Sequence, residues 1–106
     1  MAQEISWGAV RHFPDGSLIR PVFRVTYEYI EIDGHRIETE LGVPCSGDAD
    51  GLFNWLDTET WSPPHEAEVL SLEKRLEIMR KFKEYFEYYG WTIKFCDMPS
   101  DYAPDD

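Results

Sequence analysis

The chain predicts an α+β fold: a four-stranded antiparallel sheet in β-β-β-α-β order, with one long helix packed on one face. Three observations predict it. Between His65 and Tyr89 the apolar residues Val69, Leu72, Leu76, Met79, Phe82, Phe86 and Tyr89 recur at helical spacing, with Ile78 and Tyr85 at the stripe's edge. On the opposite side lie Glu73, Lys74, Glu77, Arg80, Lys81, Glu84 and Glu87. Segments on either side alternate with the period of strands, and a stripe this wide needs such a sheet to cover it.

The helix has its own boundary signals. Ser62 is the expected N-cap with Pro63 at the first position, and Glu66 and Glu68 suit the positive end of the helix dipole. Glu77–Lys81, Arg80–Glu84 and Lys83–Glu87 are favourable i,i+4 pairs, and Gly90 is the expected left-handed stop.

Ahead of the helix, residues 4–13 read as a first strand, with Ile5, Trp7 and Ala9 on one side. Phe13-Pro14-Asp15-Gly16-Ser17 supplies the chemistry of a hairpin loop. A long second strand follows, Leu18 to Ile32, in which Phe23, Val25, Tyr27 and Tyr29 alternate with Arg24, Thr26 and Glu28. Pro21 has no N–H to donate, which predicts an edge, bend or bulge there.

Asp33-Gly34 makes the next turn, and Ile37, Thr39, Leu41 and Val43 form the inward set of strand three. A two-residue loop would set Glu38 and Glu40 opposite Tyr29 and Tyr27, on the aromatic face. A three-residue loop through His35 pairs Tyr29 with Thr39, Tyr27 with Leu41 and Val25 with Val43. A one-residue slip exchanges faces, so the three-residue loop is expected. A bulge near Tyr29–Ile30 would serve equally.

From Pro44 to Pro64 the periodicity stops, yet Leu52, Phe53, Trp55, Leu56 and Trp61 require burial or a partner. A short helical turn is expected near Gly51–Leu56, capped by Asp50 or Asp48. After the helix, Trp91, Ile93 and Phe95 alternate with Thr92, Lys94 and Cys96 as the fourth strand. Residues 1–96 thus read as a single domain, and Asp97–Asp106 as an acidic mobile tail.

The net charge of −11 is spread over the whole chain, and 15% of the residues are aromatic. That field repels phosphate backbones, which argues against direct nucleic-acid binding and for a basic protein partner. No apolar run reaches the ~18 residues a membrane helix requires. The N-terminal residues carry neither a basic region nor a hydrophobic core of a leader, so Cys45 and Cys96 are expected as reduced thiols and the protein as cytoplasmic.

No catalytic motif is present. The chain has no phosphate-cradling glycine loop, no Gly-x-Ser-x-Gly and no Cys-x-x-Cys, so no catalytic residue and no cofactor are assigned. Ser46, Asp48, Asp50, Gly51, Phe53 and Asp57 fall on the spacing of an EF-hand calcium loop, but Ser replaces the leading Asp and the closing Glu is an Asp. The segment is expected to be a capped acidic loop. His12, His35 and His65 lie in separate turns without close ligand spacing, so no metal site is assigned.

What remains is a surface. Trp55 and Trp61 bracket Asp57 and Glu59, just after Asp48 and Asp50. Aromatic anchors beside acids have the composition of a protein interface, and these six residues are the candidate partner-binding set. Packing of both tryptophans beneath the loop is the competing arrangement. The function expected is a non-enzymatic binding module, an inhibitor or immunity-type antagonist of a basic nuclease, toxin or defence complex. An accessory subunit of a larger complex is the alternative, and a small ligand- or metal-binding domain the second alternative.

Overall fold

A computed structural model describes residues 9–23, 25–42 and 50–96, and of residues 55, 56 and 96 the backbone alone. It has the α+β architecture the sequence predicts, with a four-stranded antiparallel sheet and one helix. The sheet is a meander of β1 (Arg11–His12), β2 (Leu18–Phe23), β3 (Thr26–Ile30) and β4 (Arg36–Glu40), in that spatial order. A separate parallel pair follows, β5 (Gly51–Asn54) and β6 (Ile93–Cys96). Helix α1 (Leu72–Tyr88) lies between them in the chain.

The details differ from the sequence reading in four places. The long second strand is two strands, folded by a tight turn that pairs Phe23 with Thr26. Its register shifts between Pro21 and Phe23, the irregularity expected of a proline that cannot donate to a ladder. The strand after the helix does not join the meander. It pairs in parallel with β5, which among the described residues is bridged to the end of the meander by Gly42 and Leu52.

The expected helical turn at Gly51–Leu56 is instead strand β5 running into a 3₁₀ turn, Trp55–Thr58. Phe53 explains the difference: only an extended segment sets it against Phe82 (5.1 Å between centroids) and Phe95 (5.5 Å) together. Lastly, α1 begins nine residues later than expected. Ser71, not Ser62, accepts the Lys74 N–H at 3.1 Å, while Ser62 donates its N–H to the Arg36 carbonyl along the edge of β4. Val69, which precedes the helix, is therefore 92% exposed.

Both hairpin turns form where turn chemistry places them. The first is closed by the Phe13 N–H on the Ser17 carbonyl, with Gly16 at φ +90° and the Asp15 carboxylate accepting the Ser17 N–H. The second has the expected three-residue loop, but through Ile32-Asp33-Gly34. Gly34 takes φ +95°, and the Glu31 N–H bonds the His35 carbonyl at 2.7 Å. A left-handed glycine at the third loop position favours this alignment over one ending at His35. Tyr29 consequently faces Ile37, and Tyr27 faces Thr39. The shift is two residues in register, so the faces are those predicted and the partners are not.

The inner face, Ile19, Tyr27, Tyr29, Ile37 and Leu41, packs on Ile78, Phe82, Tyr85 and Phe86 of α1 to form the core. The Tyr27 ring meets Phe86 edge-on at 4.8 Å and Tyr85 at 5.9 Å. The Tyr85 hydroxyl donates to the Ala9 carbonyl at 2.7 Å, and burial pushes its pKa up. On the outer face Glu28 is only 2% exposed yet fully engaged: Arg20 donates to Oε1 through two nitrogens and Arg36 to Oε2. Residues 4–8, Val43 and 97–106, on which parts of the sequence reading rest, lie outside the described residues.

Helix α1 ends in a Schellman motif. The Gly90 N–H bonds the Glu87 carbonyl, the Trp91 N–H bonds the Phe86 carbonyl, and the Trp91 and Phe86 rings pack together at 6.4 Å. Gly90 sits at φ +82° with open space around it, so a side chain there meets backbone strain and no clash. Gly90→Ala is expected to destabilise the fold by about 1 kcal/mol, read in urea unfolding as a lower midpoint at unchanged slope.

Candidate functional site

Of the six residues of the sequence-predicted surface, the side chains of Asp50, Asp57, Glu59 and Trp61 are described. Asp48 lies outside the described residues, as does the side chain of Trp55. Asp50 is exposed but acts as a clamp at the mouth of the parallel pair: its N–H donates to the Thr92 carbonyl, and its carboxylate accepts the Thr92 N–H, both at 2.7 Å. Gly51, the sharp-turn position of the calcium-loop reading, is the first residue of β5.

Asp57 accepts a hydrogen bond from the Thr39 hydroxyl at 2.7 Å and so joins the 3₁₀ turn to β4. Next to it, buried Thr58 accepts from Arg75 Nε at 3.0 Å, and exposed Glu59 attracts the same guanidinium. Trp61 is only 6% exposed and belongs to the core. Its ring is unavailable as a surface anchor, which is the packing alternative for this residue. Of the six, Asp50 and Glu59 face solvent and Asp57 does so in part.

Trp61 leads instead to a cluster that the sequence reading did not assemble. The Trp61 and His35 rings meet edge-on at 5.0 Å, and His35 stacks on His65 with centroids 3.7 Å apart. His35 comes from the β3–β4 hairpin, where the Asx turn of Asp33 accepts its backbone N–H at 3.0 Å. His65 and Glu68 come from a run of turns after the cis Pro63–Pro64 bond, closed by the His65 N–H on the Ser62 carbonyl and the Glu68 N–H on the His65 carbonyl.

The Glu68 carboxylate spans both rings, 2.9 Å from His35 Nε2 and 3.8 Å from His65 Nε2. On the far side of His35, Asp33 Oδ1 lies 2.9 Å from Nδ1, out of line for a hydrogen bond. The pKa of His35 is raised, first by Glu68 and then by Asp33. Nδ1 of His65 is buried with no hydrogen-bond partner among the described residues. The one sequence signal for this cluster is the three-residue spacing of His65 and Glu68. His35 arrives from thirty positions away, and no local pattern reports it.

A second polar cluster seals the border of helix and sheet. Lys81 Nζ touches Asp15 (2.5 Å), Ser17 (2.9 Å), Tyr29 (3.3 Å) and Glu77 (3.4 Å), and Lys74 Nζ bridges Glu31 (2.7 Å) and Glu77 (3.2 Å). Tyr29 donates its hydroxyl to Glu31 at 2.8 Å. These groups satisfy one another, which marks the cluster as structural. No family model, curated protein or solved structure matches the chain.

The Lys81 ammonium and the Ser17 donors hold the Asp15 carboxyl well below the usual carboxylate range. A depressed folded-state pKa stabilises above the unfolded value and is lost as pH falls. Asp15→Asn is expected to cost roughly 0.5–1 kcal/mol at pH 7, the scale of a half-exposed ion pair. The difference from the parent should shrink as pH drops from about 5 to about 2, measured by urea unfolding across that range.

Proposed function

We propose that the chain is a small acidic protein-binding module, an inhibitor or immunity-type antagonist of a more basic protein such as a nuclease, toxin or defence complex, working in the cytoplasm. The observation that carries this reading is how the charges are distributed between internal pairing and solvent. Arg20 and Arg36 are held by Glu28, Arg11 by Glu84, Lys74 by Glu31 and Glu77, Lys81 by Asp15 and Glu77, and Lys83 by Glu87. Six of the ten cationic side chains are thus drawn into the protein's own ion pairs, while Glu38, Glu40, Glu59, Glu66 and Glu73 face solvent.

A net charge of −11 on 106 residues then acts outward, steering basic partners and repelling phosphate. Among the described residues no helix is long and apolar enough to cross a membrane. The contact would extend beyond Asp48, Asp50, Trp55, Asp57 and Glu59 to the outer face of β4. There Glu38 and Glu40 are exposed, and Glu40 pairs with Thr26 beside the β2–β3 turn. That turn presents Val22, Phe23 and Val25, with Phe23 58% exposed. The apolar turn supports the alternative reading, an accessory subunit held by a mainly apolar contact.

The two readings respond differently to salt. A tagged pull-down from the source cells at low and high ionic strength, read by mass spectrometry, should return one basic protein that is lost at high salt. A partner retained at both supports the subunit reading, and no partner at either removes both. With the partner in hand, Glu38→Lys/Glu40→Lys is expected to slow association about tenfold while leaving dissociation nearly unchanged. Surface plasmon resonance separates the two rates.

A further inference from the structure

We propose that His35, His65 and Glu68 form a binding site for one zinc ion, with Asp33 positioning His35 behind it. The three side chains offer two imidazole nitrogens and a carboxylate oxygen, all within 4.8 Å of one another. Two imidazoles and one carboxylate are a donor set that suits zinc and leaves its fourth position to water. Calcium and magnesium take all-oxygen sets and are disfavoured by the two rings.

The ligand atoms are close to the spacing that the ion demands. Zinc–nitrogen bonds near 2.0–2.1 Å in a tetrahedron place donors about 3.3 Å apart. His35 Nε2 is already 2.9 Å from Glu68 Oε1, and His65 Nε2 is 3.8 Å from Oε2. Opening the parallel stack by side-chain rotation aims both lone pairs at one point. The groups that must rotate are those with room, since Glu68 is exposed and His65 half-buried, whereas His35 is wedged between Trp61 and His65.

Two further observations point to a ligand here. Nδ1 of His65 is a buried polar atom without a partner among the described residues, and such atoms are uncommon in native proteins unless an ion or water completes them. Asp33 Oδ1, 2.9 Å from His35 Nδ1, stands where metal-binding histidines keep an orienting carboxylate. With His35 held in place by Trp61, Asp33 backs its Nδ1 side and leaves Nε2 facing Glu68.

The site joins the β3–β4 hairpin loop to the turns that lead into α1, segments with no covalent proximity. Zinc binds the folded arrangement and raises its stability by mass action.

The test uses the untagged full chain, stripped with chelator, carrying Cys45→Ser and Cys96→Ser so that thiols do not compete. Titration with zinc chloride by calorimetry should show one equivalent bound, and saturation should raise Tm by roughly 4–8 °C. Cobalt chloride should give the visible absorption bands of a tetrahedral site. Glu68→Gln, an exposed isosteric change that leaves the fold intact, should weaken zinc about tenfold or more, and His65→Ala should abolish the cobalt bands. Asp33→Asn should weaken binding about 10–100-fold, whereas His12→Ala, outside the cluster, should change nothing. Absence of stoichiometric uptake, or uptake unchanged in both Glu68→Gln and His65→Ala, overturns the site.

Discussion

Everything else in this protein depends on the aromatic seam between α1 and the strands beneath it. Phe82, Tyr85 and Phe86 sit at i, i+3 and i+4 on the helix and meet Tyr27 and Tyr29 of β3 and Phe53 of β5. Edge-on and tilted ring contacts add about 0.5–1.5 kcal/mol per pair beyond area burial. The seam is also a surface that both sheets share. Tyr27 and Tyr29 belong to the meander, while Phe53 belongs to the parallel pair. Without the helix, the bridge of Gly42 and Leu52 would be the remaining backbone-paired link between them among the described residues.

The seam's polar ends are finished with equal care. Tyr29 and Tyr85 keep their rings in the core while their hydroxyls reach Glu31 and the Ala9 carbonyl. Around that border Lys74 and Lys81 neutralise Asp15, Glu31 and Glu77, so a chain with a large excess of acids closes its core without like charges facing one another there. On the opposite face Glu28 is satisfied by two arginines. The internal cations are consumed by these tasks. The acidic excess is therefore displayed, and the field of the molecule follows from how its interior is satisfied.

Legibility varied with the range of the interaction. The Asp15-Gly16 and Asp33-Gly34 turns and the Gly90 stop were readable because a left-handed glycine depends on two or three neighbours. The helix face was readable in its centre, from Ile78 to Phe86, but not at its start. Ser62 and Ser71 are both competent caps, and Val69 and Leu72 continue the apolar period, so periodicity did not distinguish them. Contact of Ser62 with the edge of β4 decided it. Among the candidate site residues, Asp50 and Glu59 are exposed and Asp57 partly so, while Trp61 is drawn inward by the same hairpin that carries His35.

By itself the sequence determined the fold class, the hairpin turns, the helix's C-terminal stop and the sign of the electrostatic field, because each is set by composition or by residues within one turn of each other. Tertiary structure alone decided the break in the second strand, the parallel pairing of β5 with β6, and the convergence of His35 with His65 and Glu68. Those depend on which surfaces meet after the chain has closed loops of tens of residues. No local propensity encodes that choice; it is made by the burial of Phe53 and Trp61 against partners far away in the chain.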